Sequence, residues 1–302
     1  MTKPSDELLK RAYAQDASIY QETPQDVAFP ASAEEVVALV KSGKPLIPRA
    51  AGTSLAGQVV GDGTVLDTGR HMNAIVHINL EERWAEVQPG VVRDELNHHL
   101  MEHGLFFGPN TSTSNRCMMG GMVGNNSSGS TSISYGTTRE KLLGLELVTA
   151  DGVLRAMGDI QSDGMREIPS AVDDWMTLWS EAWSTQNLES HFPDASIHRR
   201  NTGYAIDLIG NDADALLQVM CGSEGTLGIT TKIRVALDLL PPAHVAVAAL
   251  HYYSMDEAMS ATPKLMAFEP YQLELMDRII LECTHESKEY ASYRDFVKGD
   301  PA

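Results

Sequence analysis

The chain has 302 residues and a formal net charge of -18 at pH 7. Such an acidic chain is not expected to bind nucleic acid or an anionic membrane surface, because both need clustered positive charge. The three cysteines, Cys117, Cys221 and Cys283, are far apart and lack the spacing of a metal or iron-sulfur site. With no apolar leader and no long apolar run, the sequence predicts a cytoplasmic protein with reduced thiols and no transmembrane segment.

The first elements in chain order predict a βαβ unit that follows a helical N-terminal extension, residues 1–26. Ser32 and Glu35 have the spacing of a capping box, and Gly43 is placed to end the helix that they begin. Short apolar segments on either side of this helix suit strands. A strand, a hairpin and a further helix are then predicted in residues 63–68, 75–90 and 91–104.

Residues 109–136 form a long segment rich in Gly, Ser, Thr and Asn, which is typical of either a disordered linker or an ordered functional loop. Embedded apolar residues such as Met122 and Val123 favour the ordered loop. A strand follows in residues 143–154, and then a helix in residues 173–186. That helix carries a tryptophan every fourth residue, a stripe that predicts packing into the core rather than a ligand box.

The C-terminal third begins with a helix, a turn and a strand in residues 213–240, and the strand stops at Pro241 and Pro242. This proline pair is the predicted domain boundary. Pro263 lies inside the next helical pattern, where it is expected to kink or split the helix. The segment after the boundary reads as a strand, a helix and a second strand, in residues 243–253, 254–268 and 271–277.

Three turns of small residues stand out, at residues 50–57, 120–136 and 222–230. The first lies in "PRAAGTSLAGQ", directly after a predicted strand. Glycine adopts backbone angles that other residues rarely reach, and successive backbone amides of such a turn can converge on an anion. The first turn therefore predicts a phosphate site, with an ordinary tight surface turn as the alternative. Three turns could surround one extended ligand.

Two common phosphate sites do not fit these turns. "GTSLAGQV" has the glycine spacing of a P-loop, but Gln58 and Val59 stand where that loop needs a lysine and a hydroxyl residue. None of the three turns has the G-x-G-x-x-G spacing of a Rossmann dinucleotide site.

Four segments in this order carry a resemblance to a known family: "PRAAGTSLAGQ", "VQPGVVRDEL", "GGMVGNNSSGSTSISYGTTRE" and "GSEGTLGITT". Together they resemble the FAD-linked oxidases of the vanillyl-alcohol oxidase and p-cresol methylhydroxylase (PCMH) type, in the branch with D-lactate dehydrogenase, the glycolate oxidase flavoprotein subunit and D-2-hydroxyglutarate dehydrogenase. The resemblance implies an α+β fold. A two-subdomain PCMH-type FAD-binding domain would span residues 27–240, and the start of a ferredoxin-like cap would span 241–302.

By this resemblance FAD would lie extended between the two subdomains. The first turn would hold its pyrophosphate, the second would approach the flavin, ribityl chain and diphosphate, and the third would hold the adenine side. The residues carried over as cofactor-binding are Pro48, Arg49, Ala50, Ala51, Gly52, Thr53, Ser54, Gln58, Pro109, Ser112, Gly120, Gly121, Gly124, Asn125, Ser128, Gly129, Gly228 and Ile229. The first turn lacks the histidine or cysteine of covalent relatives, so the resemblance implies non-covalent FAD, with Cys117 as the nearby nucleophile.

The implied function is oxidation of a D-2-hydroxy acid, of the lactate, glycolate or 2-hydroxyglutarate type, by hydride transfer to FAD. The alternatives are an alcohol or sugar oxidase that uses oxygen, and an inert FAD-binding module. An electron-acceptor protein, or an iron-sulfur module beyond Ala302, is a possible partner. The chain ends partway through the predicted cap, so the catalytic acid and base are expected to lie outside it.

Five side chains have two interpretations each. Arg200 could bind a substrate carboxylate or form a surface pair, and the surface pair is favoured. His99 and His103 have the spacing of a two-histidine metal face, but no third ligand is evident, so no metal is predicted. Tyr135 and Tyr204 could touch the flavin ring or simply pack.

Overall fold

The computed structural model describes residues 6–160, 170–197, 199–200, 203–209, 214–285 and 287–301. Helices and sheets are both present, which confirms the predicted α+β class. The strands are β1 Asp26–Ala28, β2 Leu46–Arg49, β3 Thr64–Asp67, β4 Ile75–Asn79, β5 Trp84–Val87, β6 Leu105–Phe106, β7 Leu142–Val148, β8 Leu154–Gly158, β9 Ile229–Ala236 and β10 Asp238–Leu239. The α-helices are α1 Asp6–Ala12, α2 Ala33–Lys41, α3 Arg93–Met101, α4 Met119–Asn125, α5 Ser132–Tyr135, α6 Thr138–Lys141, α7 Ser170–Thr185, α8 Asp214–Met220, α9 Met255–Met266 and α10 Arg278–Cys283.

A small parallel sheet carries the predicted βαβ unit. Its strand order is β1-β3-β2, so β3 lies between the two strands that α2 connects. The Ser32 side chain accepts a hydrogen bond from the Glu35 amide at the start of α2. The Glu35 carboxylate in turn accepts from the Ala31 amide at 2.9 Å, so the capping interaction that the sequence predicts is present.

A five-stranded antiparallel sheet forms the larger part, in the order β4-β5-β9-β7-β8. The predicted hairpin of residues 75–90 is its β4-β5 edge. The main hydrophobic core lies between this sheet and helices α3, α4 and α8, and it includes the fully buried Phe107, Leu145 and Ile233. A second cluster joins Val36 of α2 to Ile229 of β9. This cluster packs the two sheets together.

The segment of residues 109–136 is not simply a loop, because it contains the short helices α4 and α5. Met119, Met122 and Val123 are buried on one face of α4. Their i, i+3, i+4 spacing outweighs the low helix propensity of the glycines between them. The glycines remain on the opposite side of α4, which matters for the site.

Two members of the tryptophan stripe on α7, Trp179 and Trp183, pack within the domain, as predicted. The Trp179 indole N–H donates to the Ile206 carbonyl at 2.9 Å, and its side chain joins a small cluster with Leu216. The Trp183 ring lies 5.2 Å from that of Phe192. The side chain of Trp175 lies outside the described residues.

The segment after Pro241 and Pro242 departs from the prediction. Neither 243–253 nor 271–277 forms a strand, although both were predicted as strands. A strand needs a neighbour for its backbone groups, and no described strand pairs with either segment. The predicted helix is present as α9, and it continues through Pro263 without a break. Within the described part of the chain, none of the helices has the length and hydrophobicity needed to cross a bilayer.

Candidate functional site

The three small-residue turns meet around one cavity of about 500 Å³, between the parallel sheet and the antiparallel sheet. The predicted cofactor-binding residues line it with three exceptions, Pro109, Ser128 and Gly129. The predicted residues in its wall are Pro48, Arg49, Ala50, Ala51, Gly52, Thr53, Ser54, Gln58, Ser112, Gly120, Gly121, Gly124, Asn125, Gly228 and Ile229. Segments up to about 180 residues apart in sequence thus form one site, as expected for an extended ligand.

The first turn begins where β2 ends. The Arg49 carbonyl accepts a hydrogen bond from the Thr68 amide at 3.0 Å, which fixes the exit of the strand. Gly52 has φ +67°, and a Cβ on it would lie 2.8 Å from the Arg49 guanidinium carbon. Glycine is therefore favoured here by the backbone conformation, and any other residue would also displace the Arg49 guanidinium.

The amides of the first turn are available to a ligand. Among the hydrogen bonds of the described residues, none is donated by the backbone N–H groups of residues 51–55. Buried or half-buried amides in proteins nearly always find an acceptor. A run of amides in a turn that lines a cavity is the geometry that binds phosphate oxygens.

Helix α4 forms the second wall of the cavity. It is fixed by Met119, whose amide donates to the Val91 carbonyl at 2.9 Å, and by Gly120, whose amide donates to the Pro89 carbonyl at 2.8 Å. A Cβ on Gly121 would lie 3.4 Å from the Cβ of Ala50 in the first turn. Helix and turn thus approach each other across small residues, which leaves their backbones exposed to the cavity.

The third turn is hydrogen-bonded to α4. The Gly222 amide donates to the Val123 carbonyl, and the Glu224 amide donates to the Gly124 carbonyl, both at 2.9 Å. The Asn125 side-chain amide donates to Glu224 Oε1 at 2.8 Å. These bonds hold the second and third turns at a fixed separation.

The third turn also touches the first. A Cβ on Gly225 would lie 3.1 Å from the Pro48 ring. Gln58, from the end of the first turn, lies close enough to the Glu224 side chain to lower its pKa. Each of the three turns therefore contributes one polar side chain, Gln58, Asn125 or Glu224, to a single polar group in the cavity wall.

Charge at the cavity is mixed. Arg49 and Arg116 line it, and so does Glu224. Burial raises the pKa of Glu224 above its usual value, while its hydrogen bond from Asn125 and the nearby Gln58 side chain lower it. Because Arg49 and Arg116 stand beside this carboxylate in the wall, the cavity can accept an anionic group with less repulsion than the overall charge of the chain suggests.

Cys117 is buried in the cavity wall. Burial raises its pKa, although the Thr111 hydroxyl donates a hydrogen bond to its sulfur at 3.4 Å. The nucleophilic form of cysteine is the thiolate. A raised pKa keeps this thiol protonated, so it is poorly suited to form a covalent bond to a flavin.

The three predicted residues outside the wall are in contact with other residues of the protein. The Pro109 carbonyl accepts a hydrogen bond from Arg93 Nε at 3.1 Å. Ser128 accepts a hydrogen bond from the Arg199 guanidinium. Gly129 packs so tightly on Asn110 that a Cβ would collide with it.

Arg200 does not line the cavity. Its guanidinium lies 2.7 Å from Glu189 Oε1 and 3.5 Å from Asp207 Oδ2. It also lies over the Phe192 ring, 5.5 Å from the centroid. Two carboxylates already neutralise this cation, which favours the paired interpretation, and a role in substrate binding stays a prediction.

The two tyrosines also have protein partners. The Tyr135 ring lies 4.9 Å from that of Phe106 and 6.0 Å from that of Tyr271. The Tyr204 hydroxyl is hydrogen-bonded to Thr226. Packing accounts for both side chains in this structure.

His99 and His103, for which no metal was predicted, separate at the end of α3. His99 lies in the helix, whereas His103 lies beyond it. In the described ranges no cluster of three or more His, Cys, Asp or Glu side chains could hold a metal ion.

The cavity wall also contains residues that the sequence prediction missed. Most of them belong to the motif segments or to residues 109–136, whereas Ala17 belongs to the N-terminal extension. The clearest additions are Ala17, Thr111, Thr113, Arg116, Met118, Ser223, Glu224 and Gly225. The "GSEGTLG" motif could have indicated Ser223, Glu224 and Gly225, whereas Ala17 has no local sequence signal.

Comparison with known proteins identifies the class of this site. Residues 24–158 match the family described as FAD binding domain. The chain is 35% identical to the D-2-hydroxyglutarate dehydrogenase of Pseudomonas putida, over 98% of this chain and 31% of that protein. It is 28% identical to the glycolate oxidase subunit GlcD of Bacillus subtilis, over 88% of this chain and 48% of that protein.

A solved structure of alkyldihydroxyacetonephosphate synthase has the same fold, with a TM-score of 0.52 at 22% identity, over 82% of this chain and 38% of that one. These findings confirm the assignment made from the four motifs. Residues 24–158 match an FAD-binding domain, and nearly the whole chain is similar to D-2-hydroxyglutarate dehydrogenases. It spans about a third of the length of the D-2-hydroxyglutarate dehydrogenases that it matches.

The residues present fit FAD. The cavity lies within the size range of about 300–1,000 Å³ that is typical of ligand and cofactor sites. The free amides of residues 51–55 suit the diphosphate, and the small residues of α4 permit an extended ligand to lie close to the backbone. A second cavity of about 290 Å³ adjoins the first across Gly225 and Gly228, and it lengthens the site.

Proposed function

We propose that this chain is the FAD-binding part of a dehydrogenase that oxidises a D-2-hydroxy acid of the lactate, glycolate or 2-hydroxyglutarate type. The observation that carries the proposal is the single cavity built by three turns with free amides and small side chains. The similarity to a D-2-hydroxyglutarate dehydrogenase over 98% of the chain supports the choice of substrate class.

The chain's own residues supply the position of the cofactor. The first turn would bind the diphosphate through amides 51–55, with Arg49 and Ser54 beside it. Gly120 and Gly121 of α4 would allow the middle of the cofactor to approach the backbone. Gly228 and Ile229 would hold the adenine side next to the second cavity. Bound FAD supplies the hydride acceptor, and the protein supplies orientation and exclusion of water.

FAD would be held without a covalent bond, because the one thiol in the cavity wall, among the described residues, is Cys117, with a raised pKa. The substrate hydroxyl needs a base and the substrate carboxylate needs cations. We assign neither role to a described residue. Cytoplasmic location and transfer of electrons to a separate acceptor are part of the same proposal.

The test is anaerobic reduction of the bound flavin. The protein is produced with its reading frame extended past Ala302, because the base is not assigned to this chain; it is then loaded with FAD and mixed with D-2-hydroxyglutarate, D-lactate or glycolate, and with L-lactate as the stereochemical control. Bleaching of the flavin absorbance by a D-2-hydroxy acid, but not by L-lactate, is the expected result. An FAD-loaded protein that none of the acids reduces would contradict the dehydrogenase and favour the inert module.

Reoxidation of the reduced flavin distinguishes the dehydrogenase from the second candidate, an oxidase that uses oxygen. Reduced protein is mixed with air-saturated buffer, and the return of flavin absorbance is followed alongside a hydrogen peroxide assay. Fast return with peroxide would favour the oxidase. Slow return in oxygen, together with fast return on addition of an artificial electron acceptor, would favour the dehydrogenase.

A further inference from the structure

The N-terminal segment of residues 13–22, called the strap here, lies against the phosphate turn from outside. It precedes residues 24–158, the range of the FAD-binding family match. Ala17 of the strap nevertheless lines the FAD cavity together with residues of all three turns. A segment outside the matched range thus forms part of the cofactor site.

Two tyrosines of the strap contact the two ends of the phosphate turn. The Tyr13 ring lies under the Arg49 guanidinium, 5.2 Å from centroid to carbon, and the Tyr13 carbonyl accepts a hydrogen bond from Arg49 at 3.4 Å. The Tyr20 ring covers Gly57, where a Cβ would approach the ring to 2.8 Å. The strap therefore covers the turn from Arg49 to Gly57.

The strap is held closed by few contacts. The Tyr13 hydroxyl donates to Asp67 Oδ2 at 2.5 Å, and the Tyr13 ring packs edge-on against Phe29 at 5.8 Å. A hydrogen bond within the strap joins its two ends: the Glu22 amide donates to the Ala14 carbonyl at 2.9 Å. Ala14 is its one fully buried residue, and the preceding helix α1 buries none.

A weakly packed segment over a cavity opens more readily than the sheets beneath it, because local opening free energies follow the buried apolar contacts. Undocking the strap breaks no strand pairing of either sheet. It removes Ala17 from the cavity wall and releases Arg49 from Tyr13. The part of the site that would hold the diphosphate is then open to solvent.

We propose that the strap is the gate of the FAD site, which undocks when the cofactor enters or leaves, and that Tyr13 is the positioning residue that keeps it closed. Arg49, held between the Tyr13 ring and Gly52, is fixed against the phosphate turn only while the strap is docked. The inference depends on FAD binding and not on the substrate proposed above.

The test is Tyr13→Phe in the whole chain, which removes the hydrogen bond to Asp67 and keeps both ring contacts. FAD association and dissociation rates are measured by quenching and recovery of flavin fluorescence. Hydrogen bonds to charged groups are strong enough that the open fraction should rise about tenfold. Both rates should then rise by a similar factor, so that the dissociation constant changes little.

The control is Tyr253→Phe, at a phenol that is 91% exposed and far from the strap in sequence. A second variant, Tyr20→Ala, uncovers Gly57 and should also raise both rates. Hydrogen exchange of residues 13–22 supplies a readout that does not depend on the flavin signal, and exchange there should be faster in Tyr13→Phe and slower with saturating FAD. A lower unfolding temperature with unchanged rates, or a rise in the dissociation rate alone, would overturn the gate.

Discussion

Replacement of Gly52 by alanine tests the phosphate turn in a way that separates backbone strain from contact with Arg49. At φ +67° an L-residue is destabilised by about 1–2 kcal/mol. The added Cβ would also lie 2.8 Å from the Arg49 guanidinium carbon, so the guanidinium must leave its place over the Tyr13 ring. Loss of that cation–π contact adds about 0.5–1 kcal/mol.

Gly104 provides the matched control for this substitution. Its φ of +70° is almost the same, a Cβ there would meet nothing within 4 Å, and it does not line the cavity. Gly104→Ala should therefore cost about 1–2 kcal/mol from backbone strain alone. Both variants therefore suffer the same backbone strain, and only Gly52→Ala also displaces Arg49.

The assay compares thermal unfolding of the apo protein with FAD affinity. Each kcal/mol lowers the unfolding temperature by about 2–4 °C for a domain of this size. Gly52→Ala should unfold a few degrees below Gly104→Ala and bind FAD at least about tenfold more weakly, a difference of about 1.4 kcal/mol. Gly104→Ala should bind FAD like the wild type. Equal FAD affinity in the two variants would refute the assignment of the first turn to the cofactor.

Three further predictions concern single side chains. Cys117→Ser should leave the FAD content and the release of FAD by acid precipitation unchanged, as measured by flavin absorbance of the supernatant. Flavin that stays in the acid precipitate of the wild type but not of the variant would show a covalent link. Burial raises the pKa of Glu224 above its usual 4.5. The folded protein therefore holds this proton more tightly than the unfolded chain does, so the wild type is most stable below about pH 4.5 and loses stability as the pH rises through the raised pKa. Glu224→Gln escapes this loss, so its apo unfolding temperature relative to the wild type should rise between about pH 4.5 and 7, and a flat difference would contradict the raised pKa. Arg234→Met leaves Glu86 buried without its ion-pair partner, which lies at 2.8 Å in the wild type. Chemical denaturation should show a loss of about 3 kcal/mol in the free energy of unfolding, with unchanged FAD affinity. A loss below about 1 kcal/mol would mean that the pair behaves like an exposed one.

The sequence predicted those parts of the site whose signal is local. Each phosphate-type turn is marked by its own small residues, so the motifs alone predict that residues such as Gly52, Gly121 and Gly228 line a ligand site, and the structure brings them into one cavity wall. The α+β fold and the βαβ unit followed from capping and apolar patterns for the same reason.

The parts that could not be predicted depend on contacts between distant residues. Tyr13 and Asp67 are 54 positions apart, and nothing near either residue indicates their hydrogen bond. The sequence therefore predicted the strap only as part of the N-terminal extension. Glu224 was missed for a related reason, because a carboxylate in a phosphate-type cavity makes sense only when its hydrogen bond from Asn125 and its contact with Gln58 are known.

The errors in secondary structure have physical causes as well. Helix α4 has glycines of low helix propensity, and its helical state depends on burial of Met119, Met122 and Val123. The predicted strands of 243–253 and 271–277 have the right composition but no pairing strand in the described part of the chain. Val247 is 92% exposed there, which shows how little of that segment is packed.

The central claim is that the three turns hold one FAD between the two sheets, and titration of the flavin-free chain with FAD tests it most directly. Quenching of flavin fluorescence should saturate at one FAD per chain, and ADP should compete. Gly121→Val should abolish the binding without unfolding the protein, because the valine would fill the space between α4 and Ala50, where a Cβ already lies 3.4 Å from the Ala50 Cβ. A folded wild-type chain that does not quench, or a Gly121→Val variant that binds FAD as tightly as the wild type, would contradict the claim.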